Sequence, residues 1–296
     1  MKCRKCGSSN LNKRGKRNNK QRYRCMDCGA WSWDYPTMGG AKILLFDIET
    51  TPMQVWVWSL FGNKYIQPNN VIEDWNVLSW SAKWLYDSNV MSDIQTPWEA
   101  ENRDDGRVLE GIHNLMNKAD IVIAHNGDKF DIKKLNTRFH LNGMLPPSPY
   151  QSIDTLKVAK RSFAFSSNKL DYLGRLITNK GKLETNFKLW TDCLQGDRDA
   201  LKRMLEYNEE DVRLLEEVYV SLRPWIKSHP NMGLWAGDDC CPSCGSEELT
   251  PNGGYYTTMV NIYKSYSCDD CGSLTRKLES ELTARDRKQL MRSLPR

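Results

Sequence analysis

Apolar positions along the chain follow two different periods. From Ile43 to Ile48 they run almost without interruption, as in a strand buried on both faces, and the stretches 53–60 (MQVWVWSL) and 76–86 (NVLSWSAKWLY) are rich in aromatic and β-branched residues. These three runs predict neighbouring strands in an antiparallel meander. Beyond Pro97 the period lengthens: Val108, Leu109, Ile112, Leu115 and Met116 recur at helical spacing before the short apolar run IVIA at 121–124. A second helix is expected over 128–140, stopping at Asn142-Gly143 ahead of the PPSP loop at 146–149, with a short strand near Ser152 and Ile153. Several helices follow, and the last, over 198–225, carries Leu201, Leu205, Val212, Leu215 and Val218 on one face. Strands followed by alternating helix and strand describe an α/β domain with a mixed sheet over 41–228.

The flanks lack such periods and are organised by cysteine instead. Cys3, Cys6, Cys25 and Cys28 read C-x2-C-x18-C-x2-C, and Cys241, Cys244, Cys268 and Cys271 read C-x2-C-x23-C-x2-C. A two-residue gap lets one tight knuckle present two thiolates to a tetrahedral ion, so each quartet is expected to bind one structural Zn²⁺ as a small four-cysteine zinc ribbon. The ribbons are expected over 1–35 and 238–276, with Pro36 to Gly40 as a linker and a basic tail over 277–296. Tyr23, Trp31 and Trp33 are available to cover the first metal core or to stack on bases. Cys193 reads as a buried small hydrophobe and Cys240 as a bystander to the second knuckle.

Composition sharpens this picture in two ways. With 296 residues, 40% of them hydrophobic, and no apolar stretch near the roughly 20 residues of a membrane span, the chain reads as a globular enzyme rather than a membrane protein. MKCRKCGSS lacks the apolar segment of a secretory signal, and a cytoplasmic location, in the cell or a host cell, is expected. Charge is uneven: residues 1–40 carry ten Lys/Arg against Asp27 and Asp34, whereas the remainder holds 32 basic and 35 acidic side chains. A basic segment folded around metal is suited to a polyanion, and Lys16, Arg17, Arg22 and Arg24 are candidate phosphate contacts.

Candidate chemistry lies in the central domain. FDIETT places Asp47 and Glu49 two residues apart at the end of an apolar strand, so both carboxylates project from one face. AHNGDKFD, just past the IVIA strand, adds Asn126, Phe130 and Asp131, and YNEED places Tyr207 and Asp211 four apart on one face of the last helix. All-oxygen donors suit hard divalent ions such as Mg²⁺ or Mn²⁺. His125 reads as a packed histidine, and Asp154 and Asp171 as capping or structural residues.

On these three motifs, D-x-E, N-x3-F-D and Y-x3-D, the chain resembles the DnaQ-like 3′-5′ exonuclease superfamily in its DEDDy form, notably the proofreading domain of family B DNA polymerases and its stand-alone relatives. SIDTLKVAK at 152–160 and NKLDYLG at 168–174 extend the resemblance with less diagnostic weight. The histidine variant of that superfamily needs His at the position occupied by Glu206, so Tyr207 indicates the tyrosine variant. The resemblance implies a ribonuclease H-like mixed sheet and two catalytic Mg²⁺ or Mn²⁺ ions, held by Asp47, Glu49, Asp131 and Asp211. It further implies that Tyr207 orients the attacking water. Thr50, Asn126 and Phe130 are the candidate substrate contacts beside the metals. The first ribbon is also similar to the N-terminal zinc ribbons of some transposases.

The expected activity is therefore two-metal 3′-5′ exonucleolytic hydrolysis of DNA, at single-stranded or frayed ends, to nucleoside monophosphates. Alternatives are an exoribonuclease or structure-selective nuclease of the same fold, and a zinc-ribbon adaptor that binds nucleic acid without hydrolysis. Nucleic acid is the expected partner, with a replication or recombination protein as a second partner through a ribbon, and no membrane.

Overall fold

The computed structural model describes residues 8–17, 20–33, 40–61, 65–179, 185–237 and 239–291, with side chains left out at 16–17, 20–22 and 31–33. The chain divides into a central unit, Lys42–Ile226, and a second unit made of Met1–Ala41 and Lys227–Arg296. In the N-terminal part of the second unit, β1 (Leu11–Arg17), β2 (Lys20–Cys25) and β3 (Trp31–Trp33) form an antiparallel sheet in that order.

The apolar run of the central unit forms β4 (Ile43–Thr50), the middle strand of a five-stranded sheet. Two short strands, β5 (Gln54–Val55) and β6 (Val71–Glu73), pair with each other outside that sheet. The sheet is completed by β7 (Val77–Trp84), β8 (Met91–Ile94), β9 (Ile121–Ala124) and β10 (Gln151–Asp154), in the order β10-β9-β4-β7-β8. The pairs β10/β9 and β9/β4 are parallel, whereas β4/β7 and β7/β8 are antiparallel. A five-stranded mixed sheet of this kind, covered by helices, fits a ribonuclease H-like fold.

Helices α1 (Pro97–Asn102), α2 (Gly106–Met116), α3 (Asp131–Leu141), α4 (Thr155–Ser162), α5 (Leu170–Thr178), α6 (Phe187–Leu194) and α7 (Arg198–Leu222) complete the central unit. Strand alternation decides which layer each residue of β4 enters. Leu44, Phe46 and Ile48 join Val108, Leu109, Ile112, Leu135 and Phe139 from α2 and α3 in one core cluster. The intervening positions, Asp47 and Glu49, face the other layer. There α7 lies against β4 and β7, and Leu201 and Met204 share a second cluster with Leu78, Leu189 and Cys193. Fully burying each such aliphatic or aromatic side chain contributes about 1.5–3 kcal/mol, which fixes α7 over the acidic face. The helix starts where the Asp197 carboxylate accepts the backbone N–H of Asp199 and of Ala200, both at 2.9 Å.

One predicted strand is corrected. The 53–60 segment is extended only at Gln54–Val55 and does not enter the main sheet; the third strand of the meander is Met91–Ile94. Aromatic and β-branched content favours an extended backbone, yet it does not say which ladder the backbone joins. Here the register breaks at a bulge between Glu49 and Thr50, and the apolar side chains beyond it are exposed.

In the C-terminal part of the second unit, α8 (Gly233–Ala236) precedes an antiparallel sheet of β11 (Leu249–Thr257), β12 (Ile262–Cys268) and β13 (Leu274–Arg276). The expected tail contains α9 (Ala284–Lys288), whose start is capped reciprocally by Thr283 and Asp286.

Candidate active site

Asp47 and Glu49 lie opposite Ser81 and Ser79 of β7, so both carboxylates leave the same face of β4. Asp211 of α7 meets them there. One carboxylate oxygen each from Asp47, Glu49 and Asp211 lies within 4.8 Å of the others. Asp211 is buried, while Asp47 and Glu49 are partly accessible, so the group opens to solvent on the strand side.

Asn208 holds this group in place. Its carboxamide nitrogen donates to Asp47 Oδ2 at 2.7 Å, and its oxygen accepts the Ser79 hydroxyl at 3.2 Å. The residue is fully buried, and its two bonds link α7 to β4 and β7 at the level of the carboxylates. Sequence reasoning missed Asn208 and Ser79. The only signal was that Asn208 lies three residues before Asp211, on its face of the helix.

Asp131 is also buried, at the first turn of α3, but it does not belong to the three-carboxylate group. Its Oδ1 accepts the backbone N–H of Ile48, the residue between Asp47 and Glu49, at 3.2 Å. The second motif is thereby tied to the first through the main chain. Tyr207, one turn before Asp211, is half-buried with its ring edge-on to Trp190 at 6.3 Å between centroids. Cys193, expected to be a buried hydrophobe, is fully buried; burial and the negative charge of Asp192, Asp197 and Glu49 push its thiol up to about 12.

A cleft of about 670 Å³ opens at Asp47 and is lined by Asn126, Lys160, Ser167, Asn168 and Lys169, among others. Asn126 has a left-handed backbone (φ 69°), and its N–H donates to Asp154 Oδ1 at 3.0 Å. The same oxygen caps α4 by accepting from Leu156 and Lys157, so Asp154 has the structural role expected of it. His125 is packed: Nε2 donates to the Asn168 carbonyl at 2.9 Å, which leaves Nδ1 to accept from the Thr155 hydroxyl at 2.9 Å in the neutral ring. Phe130 is 37% exposed at the entry to α3, and Thr50 ends β4. Lys160 and Lys169 were not singled out from sequence, although both lie in the two weaker stretches of the resemblance.

The second cysteine quartet is assembled. Sγ atoms of Cys241, Cys244, Cys268 and Cys271 lie within 4.8 Å of one another, with Cys241–Cys271 and Cys244–Cys268 each at 3.6 Å. Each knuckle closes on a glycine in the left-handed region, Gly245 (φ 82°) donating to the Cys241 carbonyl and Gly272 (φ 74°) to that of Cys268. Cys240 stays outside the quartet, its thiol on the Gly237 carbonyl. Four convergent thiols are compatible with a zinc ribbon. In the N-terminal segment the Gly29 N–H donates to the Cys25 carbonyl at 3.0 Å, the same turn. Cys3 and Cys6 lie outside the described residues, as do the side chains of Lys16, Arg17 and Arg22; Arg24 is exposed on β2.

Residues 81–223 match a family model described as the RNase_H superfamily. Over that segment the chain is similar to the RNase H-like superfamily. The matched stretch includes Asp131, Tyr207 and Asp211 but begins after Asp47 and Glu49, which β4 brings to Asp211. An RNase H-like domain indicates nuclease-type activity and a nucleic-acid substrate, and its usual divalent metals agree with the three convergent carboxylates. Comparison with curated proteins found no match. No helix among the described residues is long and apolar enough to cross a membrane.

Proposed function

We propose that the RNase H-like domain is a 3′-5′ exonuclease that hydrolyses single-stranded or frayed DNA ends to nucleoside monophosphates. The observation that carries this reading is the convergence of Asp47, Glu49 and Asp211 within 4.8 Å, with Tyr207 one helical turn from Asp211. The order of the three motifs and their resemblance to DNA proofreading domains support the exonuclease polarity and the preference for DNA.

The donor set fits hard cations, since every convergent group is a carboxylate oxygen and, among the described residues, no thiolate or imidazole joins the group. Asp47, Glu49 and Asp211, with Asp131 alongside, are the residues to hold two Mg²⁺ or Mn²⁺ ions. When bound, such ions neutralise charge developing on the scissile phosphate and acidify the attacking water.

The chain's own residues position the rest. Asn208 prevents the Asp47 carboxylate from rotating, and the Ile48 N–H does the same for Asp131. Tyr207 orients the attacking water by hydrogen bonding, a task that suits a phenol, ordinarily protonated at neutral pH. Lys160 and Lys169 line the cleft that opens at Asp47, where they offset the charge of the strand's terminal phosphates. The Cys241 quartet and, by its spacing, the Cys3 quartet each hold one structural Zn²⁺. The basic N-terminal ribbon recruits nucleic acid.

Asp47→Asn and Asp211→Asn test the assignment. Each is expected to lower Mg²⁺-dependent release of mononucleotides by at least about a thousandfold while the thermal unfolding midpoint stays within a few degrees. Undiminished hydrolysis by the double variant contradicts the site.

A further inference from the structure

Between Thr50 and Trp75 the chain makes an excursion most of whose apolar residues are exposed. Trp58 is 102% exposed, Phe61 87% and Tyr65 76%, and Trp56 and Leu60 are likewise open to solvent. Exposed apolar patches of this extent mark binding surfaces rather than defective packing. The stem beneath them is firmly built. Thr51 and Asn76 exchange hydrogen bonds, Thr51 N–H to the Asn76 carbonyl at 3.0 Å and Asn76 N–H to Thr51 Oγ1 at 3.0 Å. Arg103 reaches both legs, donating to the Pro52 carbonyl at 3.3 Å and to the Asp74 carbonyl at 3.0 Å. Above them β5 pairs with β6, and the Trp56 N–H donates to the Asn70 carbonyl at 2.8 Å.

Three observations identify the occupant. The first is position: the excursion begins at Thr50, the residue after Glu49, and its returning leg runs into β7, which carries Ser79. Next is charge: from Thr50 to Ile72 the sequence has no acidic residue and one charged residue, Lys64, in a chain that is 27% charged, and the acids Glu73 and Asp74 come only at the foot of the returning leg. Exposed rings and amides without carboxylates suit bases attached to a polyanion. Last is continuity: Lys134 lies 3.5 Å over the Trp75 ring and 5.3 Å from that of Phe130, next to Asp131. Rings and a cation thus lead from the stem to the carboxylates.

We propose that this excursion is a stacking arm that holds the bases of a single-stranded nucleic acid upstream of the end at the RNase H-like site. The proposal rests on the nuclease reading for its choice of ligand. Stacking is indifferent to base identity, so the arm confers affinity for unpaired strands without sequence preference.

The test measures binding without turnover. In EDTA, fluorescence anisotropy of the full chain is titrated with two labelled strands of about twenty nucleotides, one of deoxythymidine and one entirely abasic. The chain is expected to favour the base-bearing strand, and Trp58→Ala/Phe61→Ala to weaken that strand at least about tenfold, given the contribution of stacked aromatics. Affinity for the abasic strand and the salt dependence of binding are expected to be unchanged, because no phosphate contact is lost. Trp58→Phe/Phe61→Tyr, which keeps two rings, is expected to restore binding. Equal affinity of wild type and the alanine variant for the base-bearing strand overturns the arm. So does equal loss on both strands, or unchanged strand affinity accompanied by lost self-association or lost binding to phosphatidylcholine vesicles. A chain that shows the expected binding but hydrolyses nothing with Mg²⁺ overturns the nuclease reading and leaves the arm standing.

Discussion

At the scale of single residues, the candidate site depends on where carboxylates are held as much as on how many there are. Asp47 and Glu49 owe their common face to strand alternation, and Asp211 owes its approach to one buried carboxamide, Asn208, bonded to Asp47 at 2.7 Å. Asn208→Ala removes this support without changing charge. It is expected to raise the Mg²⁺ concentration for half-maximal activity about 10- to 100-fold, with near-normal rates restored at saturating metal. A metal titration of initial rates checks this, and an unaltered midpoint contradicts the role given to Asn208. The acids were legible in the sequence because D-x-E at the end of an apolar run turns two charges onto one face of a strand that is otherwise built for burial. Asn208 was not, since a polar residue inside a polar helix says nothing until the register of α7 against Ser79 is known.

Among elements, β4, β7 and α7 could be read from periodicity alone, because each is long and strongly patterned. Met91–Ile94 could not: MSDI is short and half polar, as suits an edge strand, and the aromatic run at 53–60 competed for its place. What fastens this edge is Arg107 of α2, which pairs with Glu99 of α1 and Asp93 of β8, both at 2.7 Å, and donates to the Ile94 carbonyl. The Arg107 guanidinium, aided by hydrogen bonds from Thr96, holds the Glu99 carboxyl down from its ordinary 4.5 to about 2 against the cost of burial. A depressed folded-state pKa stabilises above the unfolded value and loses that contribution as pH falls from 4.5 towards 2. Glu99→Gln is therefore expected to lower stability by about 1 kcal/mol at pH 7, and by progressively less as the pH is taken below about 4. Urea midpoints at about pH 7 and about pH 3 measure the difference; an equal deficit at both values contradicts the coupling.

Across the whole molecule, charge and chemistry are divided between segments. The N-terminal 40 residues hold ten basic side chains against two acids, while the carboxylates that define the candidate site lie in the central unit, Lys42–Ile226. We propose that the basic ribbon brings the polyanion, the aromatic arm holds its bases, and the acidic face hydrolyses its end. In this account the chain works on unpaired ends and needs a free 3′ terminus. The most direct test compares a 5′-labelled linear single-stranded DNA with a closed circle of the same sequence, each incubated with the full chain and Mg²⁺, with and without EDTA. The expected result is a ladder that shortens from the 3′ end with release of mononucleotides, an intact circle, and no reaction in EDTA. Cleavage of the circle, release of nucleotides from the 5′ end, or degradation that persists in EDTA contradicts it.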